Sequence, residues 1–166
     1  NVAGYDVSRV LAGSLGVLGV IAELSLKVLP VAPAEATLAF ECGQADALRM
    51  LNHWGGQPLP LNASCWAPQD GQGWLYLRLR GARAAVEAAC RHLGGQAGGQ
   101  LGDPAESAAR WTALRDQAIP FFAERGAEQD LWRVSVPQTA PVLAIQGAQA
   151  PLIEWDGGQR WYLLAP

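Results

Sequence analysis

Lysine is almost absent from this 166-residue chain: Lys27 is the single one, and arginine supplies the rest of the basic charge. Acidic residues outnumber basic ones, 15 to 12, for a net charge of -3. That balance gives no electrostatic reason to expect nucleic acid or an anionic membrane as a partner. Cysteine is scarce too. Cys42, Cys65 and Cys90 are odd in number and form no C-x-x-C pair. This argues against a disulfide framework and against zinc or iron–sulfur ligation within the chain. Three free thiols suit a reducing cytosol, so the expected location is cytoplasmic. The 2 histidines, His53 and His92, each fall toward the end of an expected helix, where the dipole favours a cation. Neither has a second ligand spaced to help it, so no metal site is expected. No apolar run reaches the length of a membrane span, and no signal peptide is visible. An initiator methionine is missing as well, and the chain starts inside a motif. A piece of a longer protein is expected.

What is present is hydrophobic: 50% of the residues, enough for a sizeable core in one domain plus a fragment of another. The first 30 residues organise the rest. Gly4, Gly13, Gly16 and Gly19 punctuate an apolar run. Asp6 reads as the N-cap of a two-turn helix that Gly13 ends. The stretch from Val20 to Leu29 reads as a strand, because Leu24, Leu26 and Val28 alternate with Ser25 and Lys27. Glycines at this spacing let backbone approach something closely, and free N–H groups in such a loop suit an anionic group. On spacing alone, a tight loop whose glycines serve only chain geometry explains them as well.

The residues Asn1, Gly4, Tyr5, Asp6, Gly13, Ser14, Gly16, Leu18, Gly19, Val20 and Ile21 form N-x-x-G-Y-D followed by G-S-x-G-x-L-G-V-I. This resembles the end of the flavin-binding domain in the vanillyl-alcohol oxidase and p-cresol methylhydroxylase superfamily. Trp111 to Asp116, Phe121-Phe122, Leu131 to Pro137, and Ile153 to Trp161 make it most similar, within that superfamily, to the FAD-binding subunits of bacterial glycolate oxidases. The resemblance implies that Asn1, Gly4, Gly13, Ser14, Gly16, Gly19, Val20 and Ile21 line FAD in the full-length protein. Leu15 and Val17 depart from it, standing where many relatives carry Glu and Thr. It implies an oxidoreductase that supports oxidation of glycolate, a small 2-hydroxy acid, to glyoxylate. Its partners would be a catalytic flavoprotein subunit and an iron–sulfur subunit that takes the electrons, with membrane association only through them. The histidine-rich motif of related hydroxy-acid dehydrogenases is absent, so this piece alone is expected to be inactive; with the rest of the flavin domain expected to lie before Asn1, it is also expected to bind no FAD by itself. The alternative is a non-catalytic ferredoxin-like module that assembles the complex.

After a linker at residues 31–34, the order is strand, helix, strand, strand, helix, strand over residues 35–101. That predicts an α+β fold, a ferredoxin-like antiparallel sheet with its helices on one face. The resemblance implies the same cap domain, spanning 35–166, preceded by the last helix and strand of the flavin domain at 1–30. Leu38, Phe40, Leu75, Leu77, Val86 and Leu93 are the expected core. Asp103-Pro104-Ala105-Glu106 starts a further helix. A strand over Leu131 to Val136 and a hairpin across Asp156-Gly157-Gly158 complete the chain.

The opposite face of the sheet is the candidate site. Alternation places Trp74, Tyr76, Arg78 and Arg80 there, and a guessed hairpin register adds Trp66. Arg78 suits a bidentate carboxylate, with Tyr76 beside it and Arg133 as a second candidate. The same aromatic and arginine composition suits a subunit interface equally.

Overall fold

The computed structural model describes residue 4 and residues 6–164, which fall into two compact units divided between Val31 and Ala32. In the first unit, α1 (Val7–Leu11) is capped by Asp6, whose carboxylate accepts from the Arg9 N–H at 3.3 Å. Beyond it the chain turns on Gly13 and Gly16, both at φ 80°. The strand expected over Val20 to Leu29 is not formed; residues 20–31 have no regular structure. A strand is stabilised by its ladder, and the described residues of this unit form a five-residue helix and loop that offer no strand to pair against.

The second unit runs β1 (Ala34–Glu41), α2 (Gln44–Gly55), β2 (Leu61–Gln69), β3 (Gln72–Gly81), α3 (Arg83–Ala97) and β4 (Gln100–Leu101). Then follow α4 (Pro104–Arg115), α5 (Pro120–Ala123), β5 (Asp130–Ser135), β6 (Leu152–Glu154) and β7 (Gln159–Leu164). The strands form one seven-stranded sheet in the order β4-β1-β3-β2-β6-β7-β5. Its ladders are all antiparallel. The first four strands reproduce the expected ferredoxin-like plan. The C-terminal hairpin extends the same sheet, with β6 pairing β2.

The β2–β3 register decides which side chain meets which core. Asp70 and Gly71 sit at φ 52° and 82°, the left-handed pair of a two-residue hairpin turn. Gln69 therefore pairs with Gln72, Trp66 with Leu75, and Cys65 with Tyr76. Trp66 thus lies on the helix-covered face, not beside Tyr76 as expected. Its indole N–H donates to the Cys42 carbonyl at 2.9 Å. Gly73 is held to glycine by this contact: a Cβ there would run into the Cys42 carbonyl and come within 2.7 Å of the Trp66 ring.

α2 and α3 cover that face. Leu38, Phe40, Leu75, Leu77, Val86 and Leu93 are buried in one cluster, with Leu48, Leu51, Trp54 and Leu79. Here the expected core is observed. The other face is not open: α4 lies on it, burying Trp111 and Leu114. Asp103 starts α4 by accepting from Ala105 N and Glu106 N at 2.9 and 3.0 Å. Gln117, at φ 54°, ends it, with Ala118 N donating back to Ala113 O at 2.7 Å.

Leu77 is fully buried at the centre of β3. Leu77→Ala is expected to cost about 2–5 kcal/mol as a core truncation. Urea unfolding monitored by tryptophan fluorescence measures it.

Candidate functional site

Alternation along β3 sends Trp74, Tyr76 and Arg78 to the face opposite Leu75, Leu77 and Leu79. Trp74 and Tyr76 stack at 6.4 Å with an interplanar angle of 23°. α4 answers with Arg110 and Trp111 in a reciprocal arrangement. The Arg110 guanidinium lies 3.9 Å from the centre of the Tyr76 ring, and that of Arg78 lies 5.1 Å from the Trp111 ring. Each element gives one ring and one cation. Trp111 is fixed further by its indole N–H, which donates to the buried Thr37 hydroxyl at 2.9 Å. Arg78 Nε donates to Asn62 Oδ1 at 2.7 Å. Among the described residues no carboxylate pairs with Arg78, whereas Arg80 lies 3.4 Å from Glu35.

Two clefts flank Trp111. One, of about 550 Å³, has Cys65, Tyr76, Leu114, Ile119 and Phe121 in its walls and Arg110, Asp70 and Glu124 among its polar groups. The other, of about 440 Å³, is lined by Arg78, Arg80, Arg115, Glu35, Glu154 and Trp155. Burial pushes the Cys65 thiol far up from its ordinary range, and the Glu154 carboxylate adds to this while Arg110 opposes it. Glu154 itself accepts from the Trp161 indole at 2.7 Å and from Gln159 Nε2 at 3.0 Å. Arg133 stands apart, on β5. Among the described residues it makes no ion pair, and its guanidinium lies 5.9 Å from the centre of the Trp161 ring, which packs edge-on against Phe122 at 5.3 Å.

The sheet face thus brings Tyr76 and Arg78 together and leaves Arg133 over a different strand. Cys65, Arg110, Trp111 and Thr37 were missed by the sequence reading. The Asp70-Gly71 pair was the signal for Cys65: read as a two-residue turn, it sets Cys65 opposite Tyr76. Nothing in local sequence points α4 at this face.

In the first unit, Gly4, Gly13, Gly16 and Gly19 all take positive φ, at 109°, 80°, 80° and 150°. Ser14 N donates to Leu11 O at 3.2 Å and Val17 N to Ser14 O at 3.0 Å. The N–H groups of Leu15 and Gly16, between them, have no backbone partner among the described residues. Successive free N–H groups beside left-handed glycines form a concavity suited to an anionic or electron-rich group, so this loop fits part of a nucleotide cofactor. Asn1 lies outside the described residues. Among the described residues no cluster suits a metal ion, and no helix is long and apolar enough to cross a membrane.

Over 162 residues, 97% of its length, the chain is 40% identical to glycolate oxidase subunit GlcE of Escherichia coli (strain K12), and it spans 41% of that protein. No family model matches the chain, and no solved structure does. The resemblance to a glycolate oxidase subunit, read first from short motifs, holds along nearly the whole sequence.

Two outcomes are expected from this geometry. Trp111→Phe keeps a ring under Arg78 but leaves the buried Thr37 hydroxyl without its donor, costing about 1–3 kcal/mol in thermal or chemical unfolding. Cys65 is protonated when folded, whereas an unfolded thiol ionises near about pH 8.5. The folded pKa is raised, so the stabilisation is complete below that pH. Stability then falls as pH rises above it, by up to about 1.4 kcal/mol per unit for one thiol. Cys42 and Cys90, also raised by burial, steepen the fall. Unfolding curves from pH 7 to 10 read the slope, and Cys65→Ala should reduce it.

Proposed function

We propose that the chain is part of the FAD-binding subunit of a glycolate oxidase complex, an oxidoreductase that carries electrons from a 2-hydroxy acid toward an iron–sulfur partner. The observation that supports this is the 40% identity maintained across 97% of the chain. In this reading residues 1–30 belong to the flavin-binding domain and 35–166 form the cap, with its ferredoxin-like core at 35–101. The complex works in the cytoplasm, beside a catalytic flavoprotein subunit.

Gly4, Gly13, Ser14, Gly16, Gly19, Val20 and Ile21, with Asn1, are the residues assigned to FAD. The glycine turns keep backbone N–H groups free, and Ser14 adds a hydroxyl. When bound, the flavin supplies acceptance of two electrons from the substrate. In the cap, Arg78 is the group assigned to a substrate carboxylate. Asn62 and Trp111 hold its guanidinium in one orientation, and among the described residues no carboxylate forms an ion pair with it. Tyr76, with Arg110 on its ring, closes the neighbouring cleft.

One observation favours the second reading, a module that assembles the complex without taking part in the chemistry. α4 covers much of the face expected to look onto substrate, and it engages both Tyr76 and Arg78.

A flavin titration tests the assignment. The longer protein is expected to bind FAD, and Gly16→Trp in it to abolish binding, because a side chain at φ 80° strains the backbone of the turn whatever the space around it. The 166-residue chain is expected to show no binding at micromolar FAD, since it keeps only part of the contacts while the loss of freedom on binding is undiminished. Arg78→Lys in the longer protein should raise KM for glycolate if Arg78 meets the carboxylate. If the module reading is right, KM is unchanged.

A further inference from the structure

The seven-stranded sheet ends on unequal edges. β4 is only two residues long, a length that by itself discourages further pairing. β5, at the other end, is six residues, and it pairs with β7 without a break in register from Asp130↔Leu164 to Ser135↔Gln159. Val136 N donates to Gly158 O at 2.9 Å, which continues that register by one residue. In an antiparallel ladder alternate residues turn their N–H and C=O toward the same neighbour. Asp130, Trp132 and Val134 therefore face β7. The N–H and C=O groups of Leu131, Arg133 and Ser135 point away from the sheet, and no described strand meets them.

This edge carries few of the usual guards, the nearest being Asp130 at its start and Pro137 beyond its end. It contains no proline and no bulge. Its single cation, Arg133, lies over the Trp161 ring instead of projecting past the edge. Trp132 stands beside the edge at 57% exposure, directly opposite Tyr162 on the inner side.

We propose that the β5 edge pairs antiparallel with the β5 edge of a second copy of this chain, extending one sheet through both. Outward-facing residues must meet outward-facing residues, which leaves four central registers, and one of them, Arg133 against Ser135, sets Leu131 against Pro137, which has no N–H to give. Arg133 against Arg133 opposes like charges directly. Leu131 against Leu131 sets Asp130 against the indole of Trp132. Leu131 against Arg133 avoids these conflicts, and it brings the two Trp132 side chains together at a non-hydrogen-bonded pair, where opposed side chains lie closest. One face of the joined sheet then carries a row of Tyr162, Trp132, the second copy's Trp132 and its Tyr162. Edge pairing over six residues buries less than the roughly 1,200–2,000 Å² of a stable interface, so the association is weak and reversible.

Sedimentation equilibrium over a rising concentration series of this chain tests the pairing, with circular dichroism read on the same samples. A monomer–dimer equilibrium is expected, together with an exciton couplet from paired indoles that grows with the dimer. Trp132→Thr keeps strand preference but removes the indole. Arg133→Pro removes an N–H that does not serve β7. Each should weaken association at least tenfold while leaving the monomer's unfolding midpoint within a few degrees. A chain that stays monomeric throughout, a dimer that ignores Trp132→Thr, or a dimer without the couplet overturns the proposal. If Arg133→Pro fails to fold, Trp132→Thr and the couplet decide.

Discussion

Strand β3 must serve two cores at once, and the rest of the second unit depends on that. Its Leu75, Leu77 and Leu79 are fully buried under α2 and α3. Each is worth about 1.5–3 kcal/mol in water-to-core transfer, so this face alone commits the strand to one orientation. Tyr76 and Arg78, pointing the other way, must then be dealt with on the far side. The Asp70-Gly71 turn transmits the choice to β2. A slip of one residue there would exchange Cys65 and Trp66 between the two faces. That would leave the indole N–H without the Cys42 carbonyl and the space above Gly73 unfilled.

The far side is built from different forces. α4 buries only Trp111 and Leu114, too little apolar area to hold a helix by that means alone. It is fixed instead by directional contacts: a buried indole-to-hydroxyl hydrogen bond and two guanidinium–ring contacts of opposite sense. Such contacts are short-ranged and leave gaps between them, which is why clefts open on both sides of Trp111. The ferredoxin-like layer is thus the scaffold, and α4 buries fewer apolar side chains against it than α2 and α3 do.

What sequence reveals here follows the range of the interaction. The alternation of β3, the core positions Val86 and Leu93 of α3 and the Asp103 cap are local, and each was legible. Trp66 was misplaced because its face depends on the turn type: the hairpin was expected but its register was guessed, and the two-residue turn at Asp70-Gly71 sets it differently. α4's docking depends on Thr37, 74 positions away from its partner Trp111, and no periodicity encodes it. Val20 to Leu29 fails in the opposite sense. Its alternation is a sound strand pattern, but pattern is only a preference, and a strand needs a neighbour to donate to. The glycine turn before it carries its own conformational signature regardless, since left-handed φ is a property of single residues.

The C-terminal extension shows how a buried charge can organise a sheet without an ion pair. Arg160 is completely buried, yet among the described residues its guanidinium donates only to backbone carbonyls: Gly157 at 3.1 Å, Ala140 at 2.7 Å and Pro141 at 2.5 Å. A cation removed from water must recover its hydration through such contacts, or the fold loses several kcal/mol. The segment that supplies the Ala140 and Pro141 carbonyls is consequently drawn onto the hairpin, and Gln138 ties it to α2 through Asn52 Nδ2 at 3.2 Å. On the other face, Glu154 bridges Trp161 and Gln159 and keeps β6 and β7 in step. With both faces of the hairpin organised in this way, the direction left open to the sheet is sideways, along β5. The constraint that makes the extension rigid is therefore the same one that presents its last strand as an edge.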